Sequence, residues 1–356
     1  MKNETTGDFS ARRDGLRRSC ARAKADGFLT FDFSDVFYLS GFPSEGCFLF
    51  TGESGDWIFA PKLLAEQVRS AVRSDRKLAV VDEPDLLGAL RGILKTGALR
   101  RIGYDPDKMT VGLLRTLERF SGVKWVPLGR LVLNQRVVKD EHEIALISRA
   151  CGITARSAKE CLGSLRPGRT EEEVAADLDG IFRKNGSGKR AFETIVAFGG
   201  NAAYPHHVVT AAGLARNSAV LLDAGCAVGG YRSDLTRTVF FGKITRKFRT
   251  IYGIVHEAQR AGVAKIGPGV PAKAIDSACR EVIRKSGYGE YFIHGTGHGV
   301  GLDIHEPPRL GKSSKDILRA GMVVTVEPGI YLPGEFGVRI EDTMLVTPSG
   351  HRILTR

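Results

Sequence analysis

Three features are scarce or missing in this sequence, and each absence excludes a class of protein. No stretch approaches the ~18 consecutive apolar residues that a membrane-spanning helix needs, so we expect no membrane partner. The six cysteines are far apart and form no C-x-x-C pair, which argues against a disulfide framework or a cysteine zinc site. The N-terminal segment is polar and arginine-rich and lacks the apolar core of a signal peptide. These absences predict a cytoplasmic protein.

A concentrated positive charge is also missing. The 356 residues include 52 Lys and Arg and 40 Asp and Glu, which gives a formal net charge of +12. Residues 1–150 carry 24 basic and 20 acidic side chains, and the rest carry 28 and 20, so the excess is spread along the chain. Proteins that bind nucleic acid usually concentrate their basic residues on one surface. We therefore expect no nucleic-acid partner.

The first 130 residues alternate between short apolar runs and helical patterns. An amphipathic helix is predicted over 10–25. Strands are predicted over 27–31, 47–50, 57–60, 78–81, 101–104 and 123–126. Strands that alternate with helices predict an α/β domain.

From about residue 140 the pattern changes to longer helices, separated by strands with hairpin signals. The acidic residues Asp140, Glu141 and Glu143 suit the N-terminus of a helix. Helices are predicted over 140–163, 170–185, 246–265 and 271–286. The second domain is therefore predicted to be α+β.

Two aspartates occupy matching positions in a predicted hairpin. The apolar run 220–225 and the segment 231–239 flank a glycine-rich turn at 228–230. A hairpin that is symmetric about residues 228 and 229 places Asp223 directly opposite Asp234. Side chains in such positions have Cβ atoms ~4.5–5.5 Å apart, and like charges there repel each other. The pattern therefore predicts a cation between the two carboxylates.

A second hairpin repeats this arrangement. Glu327 and Glu341 end two apolar strands and are equidistant from Gly334 in a Pro-Gly turn, so they are predicted to face each other. Four buried carboxylates without partners would be prohibitively unfavourable. Carboxylate oxygens are hard ligands that bind divalent cations. The two hairpins together predict a metal site.

A nitrogen ligand is available at His298, in a run where glycines alternate with other residues. Glycine lets backbone and substrate approach closely, which predicts that His298 lies at the bottom of a pocket. A carboxylate-rich set with one imidazole favours Mn²⁺, with Co²⁺ or Zn²⁺ as alternatives. Two ions ~3.5–4 Å apart would use all four carboxylates.

Residues 140–346 resemble the pita-bread metallopeptidases, specifically the prolidase and aminopeptidase P branch. The motifs that carry the resemblance are Leu222-Asp223-Ala224-Gly225, Tyr231-Arg232-Ser233-Asp234-Leu235-Thr236-Arg237-Thr238, His294-Gly295-Thr296-Gly297-His298-Gly299-Val300-Gly301, His305-Glu306-Pro307-Pro308, Val326-Glu327-Pro328-Gly329 and Val338-Arg339-Ile340-Glu341-Asp342. The first domain resembles the non-catalytic N-terminal domain of that branch. This implies a non-catalytic domain at 1–130 and a pita-bread catalytic domain at 131–356. Methionine aminopeptidases share the fold, but their last two glutamate ligands stand farther apart in the chain.

The resemblance implies a role for each candidate residue. Asp223 would hold one metal ion, His298 and Glu327 would hold the other, and Asp234 and Glu341 would bridge the two. Glu327 would also carry a proton to the leaving nitrogen. Three further histidines and one arginine would complete the catalytic set by stabilising the transition state, lining the pocket and orienting the site, namely His206, His294, His305 and Arg339.

The implied reaction is hydrolysis of an Xaa-Pro peptide bond by a hydroxide that bridges the two ions. The expected substrate is a small peptide with proline at its second position, and the branch suggests a homodimer. A dipeptidase must recognise the free carboxylate of proline, and Arg309, Lys312 or Lys315 could supply the cation, although each suits a solvated loop.

Several alternatives remain open at the level of sequence. An aminopeptidase P would accept peptides longer than a dipeptide. A catalytically silent binding module and a creatinase-like amidinohydrolase use the same fold, but both typically lack the metal ligands that are all present in this chain.

Overall fold

The computed structural model describes residues 8–43 and 45–356. By Cα proximity the chain divides into two compact units, Met1–Arg136 and Val137–Arg356. Within the described residues, no helix is long and apolar enough to cross a membrane.

The first unit is a six-stranded mixed sheet with helices between its strands. The helices are α1 (Phe9–Arg22), α2 (Phe33–Ser40), α3 (Lys62–Ala71), α4 (Leu86–Thr96), α5 (Val111–Leu117) and α6 (Leu131–Arg136). The strands are β1 (Gly27–Thr30), β2 (Phe48–Gly52), β3 (Gly55–Phe59), β4 (Leu78–Val81), β5 (Arg101–Tyr104) and β6 (Lys124–Pro127). Their order in the sheet is β4-β3-β2-β1-β5-β6.

The apolar runs of the sequence form the strands of this sheet, because the sheet buries their apolar side chains. Strands β1 to β3 form an antiparallel meander, and β4, β5 and β6 join in parallel orientation. Parallel joining requires crossover connections, which the intervening helices supply. The α/β prediction for the first unit is thereby confirmed.

The second unit begins with two helices that have reciprocal N-terminal caps. They are α7 (Glu141–Gly163), capped by Asp140 and Glu143, and α8 (Glu171–Lys184), capped by Thr170 and Glu173. Each cap satisfies backbone N–H groups that the first helical turn cannot pair internally. Two further helices, α9 (Arg246–Val263) and α10 (Ala272–Lys285), pack in one core with the strands around the second hairpin.

The remaining regular structure of the second unit is mostly strands. They are β7 (Lys189–Arg190), β8 (Ile195–Phe198), β9 (Ser218–Ala224), β10 (Cys226–Val228), β11 (Tyr231–Arg232), β12 (Leu235–Phe241), β13 (Gly297–Gly299), β14 (Glu306–Leu310), β15 (Val323–Val326), β16 (Gly329–Leu332), β17 (Phe336–Arg339), β18 (Asp342–Thr347) and β19 (Gly350–Ile353). Short 3₁₀ helices cover Gly199–Ala203 and Gly289–Tyr291. The mixture agrees with the predicted α+β class.

The two candidate hairpins each divide between two sheets. The inner strands β10 and β11 join β7, while the outer strands β9 and β12 join β8. In the second hairpin, β16 and β17 form a two-stranded sheet, while β15 and β18 lie in the five-stranded sheet β14-β13-β15-β18-β19. The residues between inner and outer strands are therefore free of regular pairing, and three of the four candidate carboxylates lie there.

Candidate metal centre

The first hairpin has a register two positions away from the predicted one. Asp223 pairs with Thr236, and Ala227 pairs with Arg232, so the hairpin is symmetric about the bond between Gly229 and Gly230. Both glycines have positive φ, 55° and 84°, as a two-residue hairpin turn requires. The prediction that Asp223 directly faces Asp234 is therefore wrong, because the turn uses both glycines.

The corrected register still brings the two aspartates together. A shift of two residues keeps each side chain on the same face of the ladder. Asp234 lies at the break between β11 and β12, and the charge of Asp223 acts on it directly. The two carboxylates are thus diagonal neighbours at one site.

The predicted register of the second hairpin is confirmed. Val326 pairs with Asp342 in the outer ladder, and Gly329 pairs with Arg339 in the inner one. Both pairs belong to one register, in which Glu327 and Glu341 stand opposite each other at the break between the ladders. Glu341 is buried, and Glu327 is nearly so.

His298 lies on β13 and points its Nε2 atom at the carboxylates. Nε2 lies 3.4 Å from Glu327 Oε1 and 3.6 Å from Asp234 Oδ2, while Nδ1 lies 3.0 Å from the carbonyl oxygen of Gly299. Burial lowers the pKa of His298 to about 4, so the ring is neutral at pH 7. Because Nδ1 donates its proton to the Gly299 carbonyl, Nε2 carries a lone pair, which is the form that ligates a metal.

The carboxylates crowd one another in this buried site. Burial and then the neighbouring carboxylates raise the pKa of Asp234 and of Glu341 well above their ordinary values. Burial raises the pKa of Glu327 to about 8. Because each of these acids resists ionisation, they can all be ionised together only if a positive charge lies nearby.

The donor set fits divalent cations. In the described part of the chain, Asp223 Oδ1 and Glu341 Oε1 are buried and lack any hydrogen-bond partner. Ligand atoms of Asp234, His298 and Glu341 all lie within 4.8 Å of one another. Unpaired carboxylate oxygens beside an imidazole lone pair are unfavourable unless a cation binds between them. The structure therefore brings all five predicted metal ligands to one place.

Arg339 supplies a fixed positive charge at the edge of this centre. Its Nη2 atom lies 2.5 Å from Asp223 Oδ2, and its Nε donates to Thr236 Oγ1 at 3.0 Å. Thr236 in turn donates to Glu341 Oε2 at 2.7 Å. Arg339 thus orients one carboxylate directly and a second through Thr236.

His294 is held in one orientation by Tyr331. Arg339 Nη1 donates to the Tyr331 hydroxyl at 2.9 Å, and that hydroxyl lies 2.8 Å from His294 Nε2. Burial raises the pKa of Tyr331 to about 12 and lowers the pKa of His294 to about 4. The neutral hydroxyl therefore donates to Nε2, and the opposite ring nitrogen donates to the Gly295 carbonyl at 2.7 Å.

His305 and His206 stand on the solvent side of the centre. The rings of His305 and His298 meet edge to face with their centroids 4.4 Å apart. His206 is exposed, and its charge acts on both His294 and His305. The catalytic histidines predicted from the sequence therefore lie close to one another beside the centre.

The alternating glycines around His298 allow neighbouring backbone segments to approach closely. A Cβ atom on Gly297 would lie 2.1 Å from the Thr325 carbonyl oxygen, and one on Gly299 would lie 2.2 Å from that of Pro307. Backbone contact of this kind excludes any side chain. The predicted close approach of backbone is present and sets the position of His298.

Three supporting residues escaped sequence reasoning. Thr236 and Tyr331 connect Arg339 to the centre, and Thr325 accepts from His298 N at 3.1 Å and donates to Glu327 Oε1 at 3.2 Å. Thr236 and Thr325 each stand two positions from a predicted ligand, the spacing at which strand residues share a face. That spacing is the signal that could have found them.

Comparison with protein families matches nearly the whole chain. A family model described as Metallopeptidase family M24 matches residues 145–348. A second model, described as Creatinase/Prolidase N-terminal domain, matches residues 12–138. Both halves of the resemblance drawn from the sequence are confirmed.

Individual relatives agree in fold and in length. A protein of Pyrococcus horikoshii described as Xaa-Pro dipeptidase is 37% identical over 326 residues, 90% of this chain and 90% of its own. The structure of an Xaa-Pro dipeptidase from Bacillus anthracis superposes with a TM-score of 0.94 at 32% identity and covers 98% of each chain. An X-Pro aminopeptidase from Thermotoga maritima gives a TM-score of 0.89 at 32% identity, over 95% of this chain and 97% of its own. The expected α/β unit followed by a pita-bread α+β unit is thereby confirmed.

Proposed function

This chain belongs to metallopeptidase family M24, and from that membership we propose that it hydrolyses the peptide bond of Xaa-Pro dipeptides. One observation carries the proposal. Four carboxylates and a neutral imidazole converge on one buried site, where two carboxylate oxygens lack partners. A catalytically silent protein of this fold has no use for such a set.

We propose that the centre holds two divalent ions. Asp223 would bind one, His298 and Glu327 the other, and Asp234 and Glu341 would bind both. The carboxylate-rich donor set supports Mn²⁺, with Co²⁺ and Zn²⁺ as alternatives. Bound divalent ions polarise carbonyl groups and make water acidic enough to supply a nucleophile near neutral pH.

The chain's own residues perform the remaining tasks. Glu327 would accept a proton from water and transfer it to the proline nitrogen, which leaves as an amine. The exposed His206 and His305 would donate hydrogen bonds to the oxygen of the scissile carbonyl as negative charge develops there. His294, fixed by Tyr331, would line the wall against which proline packs.

A dipeptide substrate is supported by the position of Arg309. Arg309 and His298 are directly paired residues of β14 and β13, so their side chains share a face of the sheet. Burial is the largest influence on the pKa of His298 and of His305, and the charge of Arg309 also lowers both. A guanidinium at this place suits the free carboxylate of a C-terminal proline.

The proposal is tested with protein loaded with Mn²⁺ and two substrates, Ala-Pro and Ala-Pro-Ala, with chelator-treated samples as blanks. Release of alanine from the dipeptide alone supports the proposal. Cleavage of the tripeptide at a comparable rate would instead make the enzyme an aminopeptidase P. Absence of cleavage from both, with bound metal verified, would overturn the proline-peptidase assignment.

A variant pair tests the role of Arg309. We expect Arg309→Met to raise KM for Ala-Pro by ~10–100-fold, the strength of a hydrogen-bonded charge pair. Lys312→Met is the matched control, because Lys312 is an exposed cation three positions further along the chain. Equal effects of the two changes would contradict the assignment.

We further propose that 1–130 is a non-catalytic domain and that 131–356 carries catalysis, because every candidate site residue lies in the second segment. A reducing, cytoplasmic setting is supported by six cysteines that are all free and buried. The homodimer suggested by the branch can be checked by sedimentation.

A further inference from the structure

Glu171 is a buried carboxylate away from the metal centre that binds an unusual number of donors. It begins helix α8, and its relative solvent exposure is 0%. Its side chain accepts five hydrogen bonds, which exceeds the roughly four lone-pair sites of a carboxylate. Every acceptor direction of this group is therefore in use.

The two oxygens hold the two ends of one segment. Oε1 accepts from Phe198 N at 2.8 Å and from Asn201 Nδ2 at 2.9 Å. Oε2 accepts from His207 Nε2 at 2.7 Å, from Thr210 N at 3.0 Å and from Thr210 Oγ1 at 2.7 Å. One carboxylate thus closes the loop 198–210 at both of its ends.

The middle of this loop reaches the active site. The Pro205 carbonyl accepts from Arg339 Nη1 at 3.3 Å, and the next residue is His206. A Cβ atom on Gly337 would lie 2.0 Å from the Ala202 carbonyl oxygen, so the loop lies directly on β17. The position of His206 therefore depends on how the loop is held.

His206 lies in an exposed part of the loop. It is exposed, and its neighbours Tyr204 and Val208 are 62% and 78% exposed. The charge of Glu171 is maintained in this setting: burial opposes it, but the hydrogen bonds from His207, Asn201 and Thr210 outweigh burial and lower its pKa. An ionised carboxylate that binds both ends of the loop therefore restricts the exposed stretch around His206.

We infer that Glu171 is a positioning residue for the reaction, acting through the loop 198–210 to hold His206 over the scissile carbonyl. This inference rests on the proposed function, which makes His206 the group that stabilises the transition state. Glu171 is not among the proposed metal ligands. Its contribution is the conformational restriction of a catalytic side chain that is itself exposed.

The decisive experiment is a double-mutant cycle between Glu171→Gln and His206→Ala. The amide of Glu171→Gln offers one acceptor oxygen, so one end of the loop loses its partners. We expect kcat for Ala-Pro to fall ~10–100-fold, with KM nearly unchanged, as for loss of an interaction made in the transition state. In the His206→Ala background the same change is expected to have no further effect, because residues that act through one another are not additive.

Matched controls separate positioning from folding. Glu172→Gln removes an exposed acid from the same helical turn and is expected to leave kcat unchanged. Thr210→Val deletes one donor to Glu171, whereas Thr210→Ser retains it, so only the first is expected to lower kcat. These two changes are mild enough to keep the inference testable if Glu171→Gln fails to fold.

A readout independent of activity completes the test. Hydrogen exchange of the amides of 198–210 is expected to be faster in Glu171→Gln, with the metal content unchanged. Additive effects in the cycle, or unaltered exchange in this loop, would overturn the inference. An inactive wild-type protein whose loop exchange still responds to Glu171→Gln would instead count against the proposed function alone.

Discussion

Arg339 binds Asp223 through only one of its two carboxylate oxygens. Nη2 lies 2.5 Å from Oδ2, whereas Oδ1 is buried without a hydrogen-bond partner. The arginine therefore fixes the orientation of the carboxylate and leaves the second oxygen directed at the metal centre. A ligand that is held before the ion arrives loses little conformational freedom on binding.

Replacement of this guanidinium is expected to weaken metal binding. A lysine ammonium cannot contact Asp223, Thr236 and Tyr331 together, as the planar guanidinium does. Arg339→Lys should raise the dissociation constant for Mn²⁺ by at least ~10-fold, which corresponds to about 1.4 kcal/mol, measured by calorimetric titration. Arg352→Lys, at an exposed position, is the control. Unchanged affinity in Arg339→Lys would show that the ion pair has no role in holding the ligand.

The Tyr331 hydroxyl offers a separate test of the geometry around His294. Tyr331→Phe removes the donor to His294 Nε2 and one acceptor of Arg339, while the ring that fills the core remains. Loss of one buried hydrogen bond costs ~1–3 kcal/mol, so kcat/KM should fall ~5–150-fold with bound metal unchanged. Steady-state kinetics, together with a measurement of bound metal, test this prediction. Full activity would mean that His294 needs no fixed orientation.

The raised carboxylate pKa values predict how the metal-free protein responds to pH. Glu327 titrates near pH 4.5 when exposed and at about 8 in the folded state, and Asp234 and Glu341 are shifted in the same direction. Between these limits the folded protein binds more protons than the unfolded chain, so stability is lost as pH rises. The chelated protein should therefore melt at a lower temperature at pH 8 than at pH 6.

Metal should reverse this trend, because binding requires the ionised acids and releases their protons. Thermal melts at the two pH values, with EDTA and with Mn²⁺, make the comparison. The stabilisation by Mn²⁺ is expected to be larger at pH 8. A metal-free protein that becomes more stable between pH 6 and 8 would contradict the assigned direction of the shifts.

A buried ion pair supports the strand that follows His305. Lys139 Nζ lies 3.1 Å from Glu306 Oε2, and both side chains are 1% exposed. Glu306 Oε1 also accepts from Asp303 N at 3.1 Å. Lys139→Met removes the buried cation of this pair and should lower the free energy of unfolding by about 3–5 kcal/mol, measured in urea.

The double change Lys139→Met with Glu306→Leu is expected to recover most of that stability, because both charges of the buried pair are then replaced by apolar side chains. Its activity should remain low, since the contact with Asp303 that shapes the loop before His305 is also lost. Equal stability of the single and double variants would argue against a buried ion pair.

The parts of this molecule that sequence could predict are those with local signals. The strands of the first unit and the facing pair Glu327 and Glu341 follow from apolar runs and a single Pro-Gly turn. The register predicted for the first hairpin was wrong because two adjacent glycines allow alternative turn centres. Only the positive φ values of both glycines decide between these centres. Helix α2 was not predicted, because its eight residues are too few to show a clear helical period.

Other features depend on tertiary burial that no local pattern encodes. Glu171 belongs to a run of three glutamates that resembles any acidic helix start, yet it is buried while Glu172 and Glu173 are exposed. Its burial follows from the return of the chain at residues 210–214 along the start of α8, where Glu171 N donates to the Ala212 carbonyl. Tyr331 likewise gains its role from strand pairing with β17, which places it beside His294 and Arg339.

The single register shared by both ladders of the second hairpin has a consequence for how relatives are recognised. Residues added equally to β16 and β17 lengthen the hairpin at its tip and leave Glu327 opposite Glu341. The ions therefore do not determine the number of residues between the two glutamates. That number depends on the length of the hairpin, whose tip brings the Gly334 carbonyl close to Gly200. A search pattern that fixes this interval would miss proteins with the same ion-binding pair on a longer or shorter hairpin, whereas one that pairs the glutamates about a turn would find them.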